Sequence, residues 1–214
     1  MAGSRRYTIN KLSVEFIGTF FLVLIIGMVV KNDLGVASPL IIGLGLTSII
    51  YAGYDISGAH YNPMVTIGVL IMKRISGQLA FLYIITHLLA AGAASWFCIF
   101  LEQNAEPFLL ASGSRILIAE TVGTFILAFV IWTTAASKRT AGNQYYGLAI
   151  GVCVSALAVI FGKTSGAIFN PAVGFSFVCM NFIEWPSYLI AIVGIYLGGI
   201  PATLLFMRLE EDYK

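Results

Sequence analysis

Charge is what this chain has least of. Of its 214 residues only 10% are charged and two are histidine. A soluble domain of that length needs far more charge to cover its surface, so the ordinary soluble classes are excluded. The net charge of +2 says nothing by itself about nucleic acid, its distribution mattering more, and no such partner is expected. Cysteine is equally sparse. Cys98, Cys153 and Cys179 lie far apart in apolar stretches, where they read as small buried hydrophobes and not as a disulfide or metal framework. No catalytic constellation, phosphate loop or metal-ligand spacing occurs, so neither an enzyme nor a cofactor or metal is expected.

What the chain has is apolar length. Hydrophobic residues make up 59%, and the mean hydropathy is +0.92. Crossing a hydrocarbon core of about 30 Å takes about 20 helical residues. Six runs are long enough: Leu12–Val30, Val36–Tyr54, Gln78–Leu101, Arg115–Ala136, Tyr145–Gly162 and Pro186–Met207. No small-residue cleavage site follows the first run, so that span is expected to be retained. Two further stretches, Asn62–Met72 and Asn170–Met180, are each about eleven residues, or about 16 Å as helix, half a bilayer. Both begin Asn-Pro. Asparagine is a good N-cap, and proline at the first helical position lacks only an N–H that would be unpaired anyway. Each stretch therefore reads as a half-helix starting near the midplane.

The basic residues orient the spans. With both termini on the cytoplasmic side, Arg5, Arg6, Lys11, Lys73, Arg74, Lys138, Arg139, Arg208 and Lys214 all fall there, nine of the twelve cations. Lys31, Arg115 and Lys163 remain outside. The Glu102–Ser114 connection and the tail Glu210–Lys214 carry no recognisable signal.

The chain also repeats itself. Ser57-Gly58-Ala59-His60-Tyr61-Asn62-Pro63-Met64-Val65 returns as Ser165-Gly166-Ala167-Ile168-Phe169-Asn170-Pro171-Ala172-Val173, differing only at the fourth, fifth and eighth places. Upstream, Glu15, Gly18, Thr19 and Phe20 return as Glu120, Gly123, Thr124 and Phe125. Residues 1–214 are thus expected to form one transmembrane domain of two repeats, about 12–101 and 115–208. Each repeat has an odd number of spans, so the second enters from the opposite face and the repeats are inverted. The fold expected is an all-α membrane protein of six transmembrane helices and two re-entrant half-helices.

Inversion makes the half-helices meet N-terminus to N-terminus. Each end carries unpaired N–H groups and about half a positive charge, a site hostile to cations. Asn62 and Asn170 would offer amide donors there, while Ser57–Tyr61 and Lys163–Phe169 would expose carbonyl acceptors. Non-helical backbone at that depth is tolerated only where it is buried or lines a wet cavity. The residues read as a passage for neutral molecules.

The motifs Glu15-x-x-Gly18-Thr19-Phe20, Ile56-Ser57-Gly58-Ala59-His60-x-Asn62-Pro63, Asn170-Pro171-Ala172 and Glu120-x-x-Gly123-Thr124-Phe125 resemble those of the aquaporin/glycerol-facilitator (major intrinsic protein) family along nearly the whole chain. The resemblance implies a right-handed bundle around one pore per chain, a homotetramer, the plasma membrane, and water or small neutral solutes as cargo. Pore-lining roles follow for His60, Gly58, Ala59, Ser165 and Gly166. Glu15 and Glu120 read either as a proton or cation relay or as anchors of the re-entrant loops, and the resemblance favours anchors. The family's constriction maps onto Ile42, Ala158, Ala167 and Val173. Most members place arginine where this chain has Val173, so the quartet is apolar and the cargo is left open between water and other neutral solutes: ammonia, urea, hydrogen peroxide, glycerol, metalloid hydroxides or gases. An alternating-access transporter is the competing class.

Four further positions carry expectations. Lys163 either reaches the outer vestibule or snorkels to headgroups. Met64 either fills a gap behind the half-helix or narrows the midplane. His87, where the family often has glutamine, is expected to bond between helices. Tyr188 and Gly174 lean towards the water-channel branch.

Overall fold

The computed structural model describes residues 2–32, 34–102, 110–111 and 113–211, and among these all regular structure is helical. Lys214 and most of the Glu102–Ser114 connection lie outside the described residues, as does the Arg5 side chain. Eight α-helices follow in order: α1 (Ala2–Lys31), α2 (Ser38–Ser57), α3 (Pro63–Ile71), α4 (Gly77–Leu101), α5 (Gly113–Ile131), α6 (Tyr146–Ser165), α7 (Pro171–Cys179) and α8 (Trp185–Glu211). A single π-helical stretch, Trp132–Ala136, continues α5, and short 3-10 turns occupy Gly35–Ala37 and Lys138–Thr140. Among the described residues, six helices are long and apolar enough to cross a membrane. The helices α3 and α7 have nine residues each and are not among them.

Local chemistry sets the ends that matter. Asn62 and Asn170 are extended N-caps whose side chains accept from the backbone N–H two residues on, and proline follows each. The ends of α2 and α6 fall later than the hydrophobic runs predict. Gly58 (φ +93°) and Gly166 (φ +81°) take the left-handed conformation that closes a helix. Ser57 and Lys163–Ser165 are therefore helical, and the extended loops shrink to Gly58–Tyr61 and Gly166–Phe169.

The two halves pack alike. In each, the first helix lies against the second and the last: α1 on α2 and α4, α5 on α6 and α8. The halves join where α2 crosses α6 and where each half-helix packs into the other half, α7 on α4 and α3 on α8. The α2–α6 crossing brings backbones into contact, because a Cβ on Gly43 would run into the Gly151 carbonyl and one on Gly151 into the Gly43 carbonyl. Thr47 ties the crossing by donating to the carbonyls of Gly43 (3.0 Å) and Gly147 (3.2 Å). Neither backbone can retreat as a side chain could. Gly151→Val is expected to destabilise the bundle by about 3 kcal/mol, the upper end of overpacking costs, and to lower the unfolding temperature of the detergent-solubilised protein.

Candidate functional site: a passage with two re-entrant loops

A cavity of about 1230 Å³ runs through the bundle from Lys31 and Lys163 at one mouth to Met72 and Arg74 at the other. The loops Gly58–Tyr61 and Gly166–Phe169, with Asn62 and Asn170, form part of its wall.

Each loop turns its N–H groups away from the cavity. Ser57 Oγ accepts from Ala59 N (3.0 Å), and the Glu15 carboxylate accepts from His60 N (3.0 Å) and Tyr61 N (2.8 Å). The second loop does the same. Ser165 Oγ accepts from Ala167 N (3.3 Å), and Glu120 accepts from Ile168 N (2.9 Å) and Phe169 N (2.7 Å). Ala59, Tyr61, Ala167 and Phe169 all sit at φ between 47° and 50°. Left-handed backbone costs a non-glycine residue about 1–2 kcal/mol, which the carboxylate bonds offset. With the N–H groups paired behind the loops, the carbonyls of Gly58, Ala59, His60, Gly166, Ala167 and Ile168 accept no hydrogen bond among the described residues. They are the acceptors left for a solute.

The repeated Glu-x-x-Gly motif acquires a physical meaning here. The glutamate holds the loop backbone, and three residues on the glycine leaves room for the aromatic ring at the loop tip. A Cβ on Gly18 would strike the Tyr61 ring, and one on Gly123 the Phe169 ring.

At the centre the halves exchange bonds. Asn62 Nδ2 donates to the Phe169 carbonyl (3.0 Å), and Asn170 Nδ2 donates to the Tyr61 carbonyl (2.9 Å). Each asparagine Oδ1 is taken by its own helix, from Met64 N (2.8 Å) and Ala172 N (2.9 Å). Each Nδ2 has a second N–H beyond the bond it gives across the centre, so the asparagines keep a donor for the cavity they line.

Ile42, Ala158, Ala167 and Val173 all line the cavity, with Phe177 one turn beyond Val173. Val173 is buried in the first turn of α7. Lys163 lies exposed in the last turn of α6 and lines the mouth. His60, Gly58, Ala59 and Gly166 are also on the wall. His60 Nδ1 lies 2.9 Å from Thr66 Oγ1, and its ring meets Tyr83 edge-on. Ser165 differs from its expected lining role. It is fully buried and absent from the wall, because α6 extends through it and its hydroxyl donates to Glu120. Met64 is also off the wall, fully buried behind α3 where a Cβ on Gly199 would touch it, so it fills a gap. The Tyr188 ring fills the space beside Gly174, which makes those two expectations one packing arrangement.

Sequence reasoning missed the mouth at Arg74. Arg74 donates to the Ala136 carbonyl (2.6 Å) and Tyr54 to that of Ala135 (2.6 Å), where the π turn loosens the end of α5. No periodicity marked that turn. The serine hydroxyls Ser57 and Ser165 were also missed as loop ties, although their identity in both phrases was a usable signal.

Among the described residues, six membrane-length helices surround a passage walled by two re-entrant loops, the architecture of an integral, multi-pass membrane protein. The chain belongs to the major intrinsic protein family, which its residues 5–206 match, and it is a passive channel of that family for water or small solutes. It is 32% identical over 239 residues to aquaporin AqpM of Methanothermobacter thermautotrophicus, covering 92% of this chain and 96% of that one. It is likewise 32% identical over 212 residues to a probable TIP-type aquaporin of Medicago truncatula, covering 90% and 83%. The aquaglyceroporin from Plasmodium falciparum shares the fold, with a TM-score of 0.81 over 93% of this chain and 95% of that one at 19% identity.

Proposed function

We propose that the chain conducts water and small uncharged solutes and excludes ions at the meeting of its half-helices, with Asn62 and Asn170 as the midplane donors. The observation that carries this is the exchange of bonds there. Two helix N-termini face each other, each contributing about half a positive charge. The asparagines add N–H donors there. A water between them accepts twice and cannot relay a proton onward, and a cation meets the helix N-termini with no carboxylate among the described residues of the wall to bind it. Of the described residues on the wall none is acidic, whereas Lys31, Lys163 and Arg74 stand at the mouths.

Val173 favours a second reading, in which other neutral solutes pass with low water flux. At the quartet Ile42, Ala158, Ala167 and Val173 no side chain donates or carries charge, so larger solutes are not screened by a guanidinium, and an apolar ring slows water by dewetting. Glu15 and Glu120 serve this function as loop anchors and not as a relay, their carboxylates being fully buried and off the wall. We further propose a homotetramer in the plasma membrane with both termini cytoplasmic, in keeping with the distribution of basic residues.

Stopped-flow light scattering on reconstituted vesicles tests the reading. Osmotic water flux or uptake of glycerol, urea or ammonia is expected well above the lipid background, with no accompanying proton current. Permeability at background for all of them overturns it.

A further inference from the structure

The two loops are alike in backbone yet are not held alike. Behind the second, the Glu120 carboxylate takes its side-chain donor from Ser165, in the same segment as the loop. Behind the first, Glu15 has the equivalent Ser57 hydroxyl beside it and, in addition, takes a donor from His87 Nε2 on α4, at 2.8 Å from Oε2, with the His87 and Glu15 side chains fully buried. One turn earlier on α4, Tyr83 donates to the Ser57 carbonyl (2.8 Å), and its ring packs edge-on against those of His60 and His87. The corresponding places on α8, at the same distance past the second phrase, hold Ala191 and Ile195, neither of which can donate. The register is secure, because Lys73 and Asn181, equivalent places after the half-helices, share a left-handed φ of 59° and 57°.

His87 Nδ1 is buried without a partner among the described residues. An imidazolium there would bury an unpaired N–H, so the neutral ring with its proton on Nε2 is the form that fits. Glu15 then stays a carboxylate with three N–H donors, from His60, Tyr61 and His87. The Tyr61 peptide so held aims its carbonyl at Asn170 Nδ2. A line of hydrogen bonds thus runs from α4 through α1 and the first loop to the midplane donor of the other half.

We infer that His87 is a positioning residue of the passage: its Nε2–H sets the first loop, and through it Asn170, while the second loop needs no such support. The inference rests on the channel reading above for its functional consequence, but not for its structural one. A donor in the right place is what matters, so glutamine should replace histidine and leucine should not.

The test is deuterium exchange on the full chain in lipid nanodiscs, paired with water flux and proton leak in vesicles, both per folded channel. His87→Leu is expected to speed exchange across Gly58–Asn62 by about tenfold, the loss of one bond to a charged group, and to leave Gly166–Asn170 unchanged. It should also raise proton leak relative to water flux, whereas His87→Gln keeps wild-type values in both. The inference fails if His87→Leu leaves the first loop unchanged, if both loops loosen together, if glutamine behaves as leucine does, or if exchange rises while the leak-to-water ratio stays fixed. A wild-type chain that conducts nothing defeats the channel reading instead, and the exchange arm still judges His87.

Discussion

Val173→Arg is expected to cut the flux of glycerol and urea by at least about tenfold, the effect of roughly 1.4 kcal/mol on a barrier, while water falls much less. Val173 lies in the first turn of α7 on the cavity wall, with Ile42, Ala158 and Ala167 on the same wall. The carbonyls of Gly166, Ala167 and Ile168 beside it accept nothing among the described residues. A guanidinium introduced there carries five donors in a rigid fork and finds acceptors waiting. It narrows the opening and adds a positive charge on the path. Water is small enough to pass beside it. The measurement is the ratio of solute to water permeability in the same vesicles, which does not depend on how many channels fold. An unchanged ratio places the constriction elsewhere.

The second large effect concerns Glu120. Glu120→Leu removes the acceptor of Ile168 N and Phe169 N and leaves both buried, at about 1–3 kcal/mol each. The same loop holds Ala167 and Phe169 in the left-handed region, so losing its ties also releases that strain towards other conformations. Loss of a monodisperse, heat-resistant protein in detergent is the expected result. Glu120→Gln should rescue only in part. The wild-type carboxylate accepts on both oxygens, Oε1 from Ile168 N and Oε2 from Phe169 N, and an amide must turn its NH2 group against one of those N–H donors. Near-complete rescue by glutamine would show that a single bond holds the loop.

These two positions differ in how far the sequence announced them. Glu120 was marked by its repetition with Glu15, whereas Val173, though it repeats Val65, drew notice through what the family resemblance placed there. Ser165 was marked by repetition too, yet its role came out differently. A hydrophobic run says where apolar residues stop, not where the backbone stops being helical. Gly166 carries α6 through Ser165, which takes that hydroxyl off the cavity wall and onto Glu120. Met64 offered two readings, and the packing of α3 on α8 chose between them by setting it against Gly199.

By itself the sequence determined the class. Too little charge to live in water, six apolar runs of membrane length and two half-length ones opening on Asn-Pro follow from composition and local backbone chemistry, and the repeated phrase made the halves equivalent. Each of those features acts within a few residues of itself. The tertiary structure decided everything that needs a partner from afar: the exchange of bonds between Asn62 and Phe169 and between Asn170 and Tyr61, the support of Glu15 by His87, the clasp of Arg74 and Tyr54 on the end of α5, and the cavity that runs between the halves. A buried donor in a membrane must find an acceptor, but which one it finds depends on how the two halves pack, and no local pattern carries that information.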